Sequence, residues 1–182
     1  MKIGKTLYAK NRRAWRAWLA KNHQHAPEIW LIYYKKGSGK PRIPYNDAVE
    51  EALCYGWIDS TLKPIDDKKY AQRYSPRRST SKLSDMNRER VRRLIRSRRM
   101  TKAGLDAIAH TPKTGAPFPP DIIARLKTDP QTWRNFQRFP PSYKRIRIGW
   151  IAAARHRKLT FQQRLKYFLR MTKQNKRFGM VQ

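Results

Sequence analysis

The residues best equipped for chemistry crowd into one stretch, CYGWIDSTLKPIDDKKYAQRYSPRR, at residues 54–78. It holds the single cysteine, an Asp-Ser pair, two further aspartates and a basic exit. A nucleophilic cysteine needs a base and an electropositive, partly exposed setting. Cys54 follows Leu53 with no histidine near it in sequence, and reads as a small hydrophobe. Asp59 and Ser60 lack the GxSxG turn and the positioned histidine that a serine nucleophile requires. The economical role for Asp59 is electrostatic, a structural ion pair across a hairpin to Arg73 or Arg77. His23, His25, His110 and His156 are dispersed, and one cysteine cannot build a thiolate zinc site, so neither metal nor cofactor is expected. GSGK at residues 37–40 lacks phosphate-loop spacing and has Pro41 where the hydroxyl residue belongs, which leaves a flexible turn. No catalytic residue is assigned, and the chain is expected not to be an enzyme.

The elements that must position these residues are legible from periodicity. Ala14, Trp15, Trp18 and Leu19 fall at helical spacing, predicting a helix over 7–22 with Arg12, Arg13, Arg16 and Lys21 on its wet side. The run at 28–36 is short, aromatic and β-branched, and predicts a buried strand. Residues 45–54 return to helical spacing. The opening stretch then predicts a β-hairpin of strands 57–63 and 68–75, with Tyr70, Gln72 and Tyr74 on one face and Ala71, Arg73 and Ser75 on the other. Ser84 is a candidate cap for a helix carrying Val91, Leu94 and Ile95, followed by a second short helix. The four prolines and one glycine of TPKTGAPFPPD mark a linker. Helices are predicted beyond it at 121–127, 130–138, 142–155 and 160 to about 176. The last has Thr160 and Gln163 at capping-box spacing, a core face of Phe161, Leu165, Phe168 and Leu169, and an opposite stripe of Lys166, Arg170, Lys173 and Arg177. The expected class is α+β: an N-terminal domain over 1–110, a proline-rich linker over 111–120 and a helical basic region over 121–182.

Charge narrows the partners. Forty-three Lys and Arg stand against twelve Asp and Glu, a net charge of +31, which attracts nucleic acid, anionic lipid or acidic protein. From residue 130 onward fourteen basic residues meet no acid in the sequence. The arginines of 85–109 circle their helix, which favours non-specific phosphate contact over base readout. No apolar run is long enough for a membrane span and no secretory h-region opens the chain, so a cytosolic protein is expected.

The ordered strings WLIYYKKGSGKP, YNDAVEEALCYGWIDS, YAQRYSPRR, NRERVRRLI, RMTKAGL and PPSYKRIRIGWI together resemble the YdeI/OmpD-associated, or bacteriocin-protection, family. The similarity runs from about Trp15 to Lys173, with GWIDS and RYSPRR its most specific portion. It implies a small α+β part followed by a helical part. It also implies resistance to bacteriocins and cationic antimicrobial peptides and, in one branch, association with an outer-membrane porin. It brings no catalytic residues. Similar proteins carry acids in the last helix; here there are none, and like charges would repel a cationic peptide. The expected function is therefore non-enzymatic stress protection by binding a protein or polyanionic partner. The expected contact surface is the hairpin: Trp57, Asp59, Arg73, Tyr74, Arg77 and Arg78. A nucleic-acid binder using Lys166, Arg170, Lys173 and Arg177 is the alternative, with peripheral attachment to an anionic membrane or envelope protein also in view. An enzyme working on an anionic substrate through Asp59 and the arginines is the minor alternative.

Overall fold

The computed structural model describes residues 2–111 and 117–179, so residues 112–116, half of the predicted linker, lie outside the described residues. The chain is α+β and divides into two units, Met1–Lys82 with Arg90–Thr111, and Leu83–Glu89 with Pro112–Gln182.

In the first unit, β1 (Thr6–Leu7) runs parallel to β2 (Ile29–Tyr34), and β4 (Lys69–Pro76) pairs antiparallel with both β2 and β3 (Trp57–Pro64). The sheet order is β1-β2-β4-β3. Side chains alternate across a pleated sheet, and the register places Ile29, Leu31, Tyr33, Tyr70, Gln72, Tyr74, Trp57 and Asp59 on one face. That face packs against α1 (Arg12–Asn22) and α2 (Tyr45–Cys54): Trp15 meets the Tyr74 ring at 5.3 Å, and Trp18 meets Trp57 edge-on at 5.7 Å. Leu7 belongs to β1, and α1 starts later than predicted because extended Asn11 accepts the Ala14 amide at 2.9 Å and caps the helix.

Arg12 and Arg16 are not on a wet face. Arg12 donates to Asp47 at 3.0 Å and Glu50 at 2.8 Å, and also to Glu51; Arg16 donates to Glu51 at 2.7 Å. Arg93 of α3 (Asp85–Arg96) closes on Glu50, and Arg99 on Glu51. Glu51 is fully buried and Glu50 nearly so, which is tolerable only because each carboxylate is surrounded by guanidinium donors. These arginines are therefore fixed by internal acids rather than offered together to a nucleic-acid backbone. The end of α2 is closed by Thr101, whose hydroxyl donates to the Cys54 carbonyl at 2.6 Å. Helix α4 (Lys102–Asp106) lies so close that a Cβ on Gly104 would stand 2.2 Å from that carbonyl oxygen, so only glycine fits.

The second unit carries α5 (Pro120–Lys127), α6 (Pro130–Arg138), α7 (Pro141–Ala152) and α8 (Lys158–Lys173). The first three begin with proline, which suits the first helical turn because its missing N–H would have no intrahelical partner there. Ile122, Leu126, Phe136, Phe139, Tyr143, Ile148, Ile151 and Phe168 form the core. Helix α8 begins at Lys158, ahead of the predicted capping box, and ends at Lys173 with Asn175 in the left-handed region. Arg177 therefore lies beyond the helix and off the predicted basic stripe.

Candidate functional site

The face of the sheet opposite α1 and α2 holds the hairpin's polar side chains. Strand alternation sends Ile58 and Ser60 of β3 and Arg73 and Ser75 of β4 outward, while Trp57, Asp59 and Tyr74 turn inward. A β-bulge between Asp59 and Leu62 adds one residue to β3. Beside it the Ser60 carbonyl accepts the Gln72 side-chain amide at 3.0 Å, and the Ser60 hydroxyl meets Arg73 at 3.3 Å. Arg77 prolongs the hairpin by donating its amide to the Gly56 carbonyl at 2.9 Å, and the Ser81 amide closes a turn onto the Arg78 carbonyl at 2.9 Å.

These pieces enclose an open pocket of about 510 Å³, lined by Ser60, Ser75, Ser81, Arg73 and Arg78 over an apolar floor that includes Ile58. Glu28 orients Arg73 from the side by accepting its Nε at 2.6 Å, which leaves Nη1 near the Ser60 and Ser75 hydroxyls at 3.3 and 3.5 Å. Arg73, with help from the Trp30 indole at 2.9 Å, holds the Glu28 carboxyl below the usual carboxylate range. Arg78 is exposed. Two arginines and three serines line the pocket and no acidic residue does, with Arg73 Nη1 beside the Ser60 and Ser75 hydroxyls. That is the donor set for an oxyanion, because guanidinium forks and hydroxyls match tetrahedral or planar oxyanions in charge and geometry.

The predicted contact residues are thus split between the two faces. Arg73 and Arg78 meet at the pocket, and Arg77 lies half-buried beside it, donating to the Ser81 carbonyl at 3.0 Å while burial lowers its guanidinium's proton affinity. Trp57 and Tyr74 cannot form a contact surface, since both are buried in the core. The Trp57 indole donates to the His23 carbonyl at 3.1 Å, and the Tyr74 and Tyr33 hydroxyls share a hydrogen bond at 3.0 Å. Burial drives the Tyr74 hydroxyl far above the ordinary tyrosine range.

The predicted ion pair from Asp59 to Arg73 or Arg77 does not form. Asp59 lies opposite Tyr74, so it shares the inner face and accepts the Tyr45 hydroxyl at 2.7 Å, while Arg73 points outward to Glu28. Sequence reasoning missed Glu28, Ser60, Ser75 and Ser81 as pocket residues. The outward set of 73 and 75 was readable from alternation, but the bulge that places Ser60 beside Arg73 leaves no mark in composition. Cys54 is fully buried, and burial pushes its thiol up, as befits a small hydrophobe.

In the second unit Lys166, Arg170, Lys173 and Arg177 are all exposed. Lys173 donates to Asp129 at 2.9 Å and, together with the Thr132 amide that Asp129 caps, holds that carboxyl down to about 2. Arg170 lies 5.2 Å from the Tyr167 ring centre. Three of the fourteen late basic residues meet acids in the fold: besides Lys173, Arg145 pairs with Glu89 at 2.7 Å and Arg155 with Asp121 at 2.6 Å. Among the described residues no helix is long and apolar enough to cross a membrane.

Two family models match this sequence. Residues 7–107, more than half of the chain, match the domain of unknown function DUF8412. The chain belongs to the DUF8412 family. The DUF8412 portion contains the entire pocket, including GWIDS and RYSPRR. Residues 116–175 match the family described as bacteriocin-protection, YdeI or OmpD-associated, so the resemblance to that family holds for the helical part, a narrower span than residues 15–173. No curated protein and no solved structure matches this DUF8412 chain.

Proposed function

We propose that the protein is a non-enzymatic protection protein that acts by holding an anionic group of its partner in the outward pocket of the hairpin. The description of the matched C-terminal family supports the protective role. The observation that carries the binding role is the pairing of Arg73, pinned by Glu28, with exposed Arg78 over three serine hydroxyls and no lining carboxylate.

Isothermal titration of the full chain with inorganic phosphate and with a phosphoserine peptide tests this reading. Arg78→Ala should weaken binding about tenfold or more, the order expected for losing a charge-assisted guanidinium contact of about 1.5–3 kcal/mol. The same variant in cells challenged with a bacteriocin should lose protection while its melting temperature stays put. Phosphate binding that is equal in wild type and variant would sink the proposal.

Polyanion binding by α8 is a second reading, favoured by the exposure of Lys166 and Arg170 on a helix that contains no acid. Duplex DNA that binds the Arg78 variant as well as the wild type, with affinity falling steeply in salt, would move the function to that helix.

A further inference from the structure

The second unit contains a groove of about 800 Å³ between α5 and α8 that is separate from the hairpin pocket. Its floor is Ala124 with Phe161, Leu165 and Leu169, spaced four residues apart along α8. Eight residues of helix rise about 12 Å, so the apolar floor runs two turns, the span covered by anchors at i, i+3 or i+4 and i+7 on an amphipathic helix. Arg125 and Lys166 stand on the rims, both exposed. The rim carboxylate Asp121 is occupied by Arg155.

Charge decides what fills this groove. The second unit has four acids against eighteen basic residues. Each acid is already in an ion pair: Asp85 with Arg88, Glu89 with Arg145, Asp121 with Arg155 and Asp129 with Lys173. The field at the groove is therefore positive with little internal carboxylate to quench it, and it repels a cationic peptide. A second copy of a chain charged +31 is repelled in the same way. Nucleic acid satisfies the rims but brings no side chains for a two-turn apolar floor.

We infer that the α5–α8 groove docks an acidic amphipathic helix of a protein partner, with apolar side chains on Phe161, Leu165 and Leu169 and carboxylates on Arg125 and Lys166. The groove shares no lining residue with the hairpin pocket.

The test uses the full chain and three labelled synthetic peptides read by fluorescence anisotropy: an amphipathic helix with a Glu-rich polar face, the same helix with a Lys-rich face, and a scramble of the acidic one. The acidic helix should bind at least about tenfold tighter than either control. Arg125→Glu with Lys166→Glu should abolish that preference, and Ala124→Phe, which fills the floor, should block binding at an unchanged melting temperature. Arg78→Ala should have no effect here, which separates this site from the hairpin pocket. Equal binding of the scramble reduces the site to bare charge and overturns the inference. So do a concentration-dependent dimer that shields the groove, displacement of the peptide by anionic vesicles, or no binding of the acidic helix.

Discussion

The two units handle charge in opposite ways. The first buries it: Glu50 and Glu51 lie inside, and Arg12, Arg16, Arg93 and Arg99 close over them from three stretches of chain. The second keeps its ion pairs at or near the surface and builds its interior from rings and aliphatic chains. Among the described residues its one buried guanidinium, Arg147, meets no carboxylate and is caged by Tyr143, Trp150 and Phe178, whose ring centres lie 5.0 to 5.9 Å away. Part of the charge in the first unit is therefore structural, with Arg78 left exposed at the pocket, whereas the ion pairs of the second unit engage only a few of its basic residues.

The sharpest way to break this comparison is to remove a buried acid. Glu51→Gln takes the shared counter-charge from Arg16 and Arg99, leaves Arg12 with Asp47 and Glu50, and should cost about 3 kcal/mol in denaturant unfolding, since it breaks a buried ion-pair network on one side. A loss under about 1 kcal/mol would make the network incidental. The matching substitution in the second unit should be mild. Arg147→Met keeps the stem between the rings and removes a charge whose burial already lowers its proton affinity, so stability should change by about 1 kcal/mol or less, or rise.

The smallest effect belongs to Asp129. Its carboxyl is held down to about 2 in the fold, against about 3.9 unfolded. A depressed carboxylate contributes stability that is fully present above the unfolded value and is lost as pH falls through the folded one. Asp129→Asn keeps a good capping side chain and should flatten the stability profile between about pH 4 and 2, while leaving neutral stability nearly untouched. An identical acid limb in both proteins would remove the Lys173 pair from the account.

How much was legible follows from how local each cause is. The hairpin and its faces could be read because alternation and turn residues are neighbours in sequence. The two-residue β1 could not, because no period fits two residues and its parallel pairing to β2 is set by tertiary contact. The burial of Glu50 and Glu51 runs against their residue type; the arginines that let them sink come from α1 and from beyond residue 90. Arg12 and Arg16, four apart on one helix face, were the available hint. Asp59 was placed against the wrong partner because register decides which residue lies opposite, and register is fixed by the whole sheet. On α8 the apolar face was readable, but not that of its four predicted residues only Phe168 is fully buried, nor the helix's end, since a left-handed Asn175 carries no apolar signature.

The bulge at Ser60 acts on more than the pocket. Because the sheet order makes β3 an outer strand, its unpaired backbone side would ordinarily be a template for another chain's strand. The extra residue interrupts the ladder there, and Lys63 and Pro64 end it, proline having no amide to donate. The edge is therefore a poor acceptor of a further strand. Recognition at this hairpin is then left to side chains rather than to an added strand.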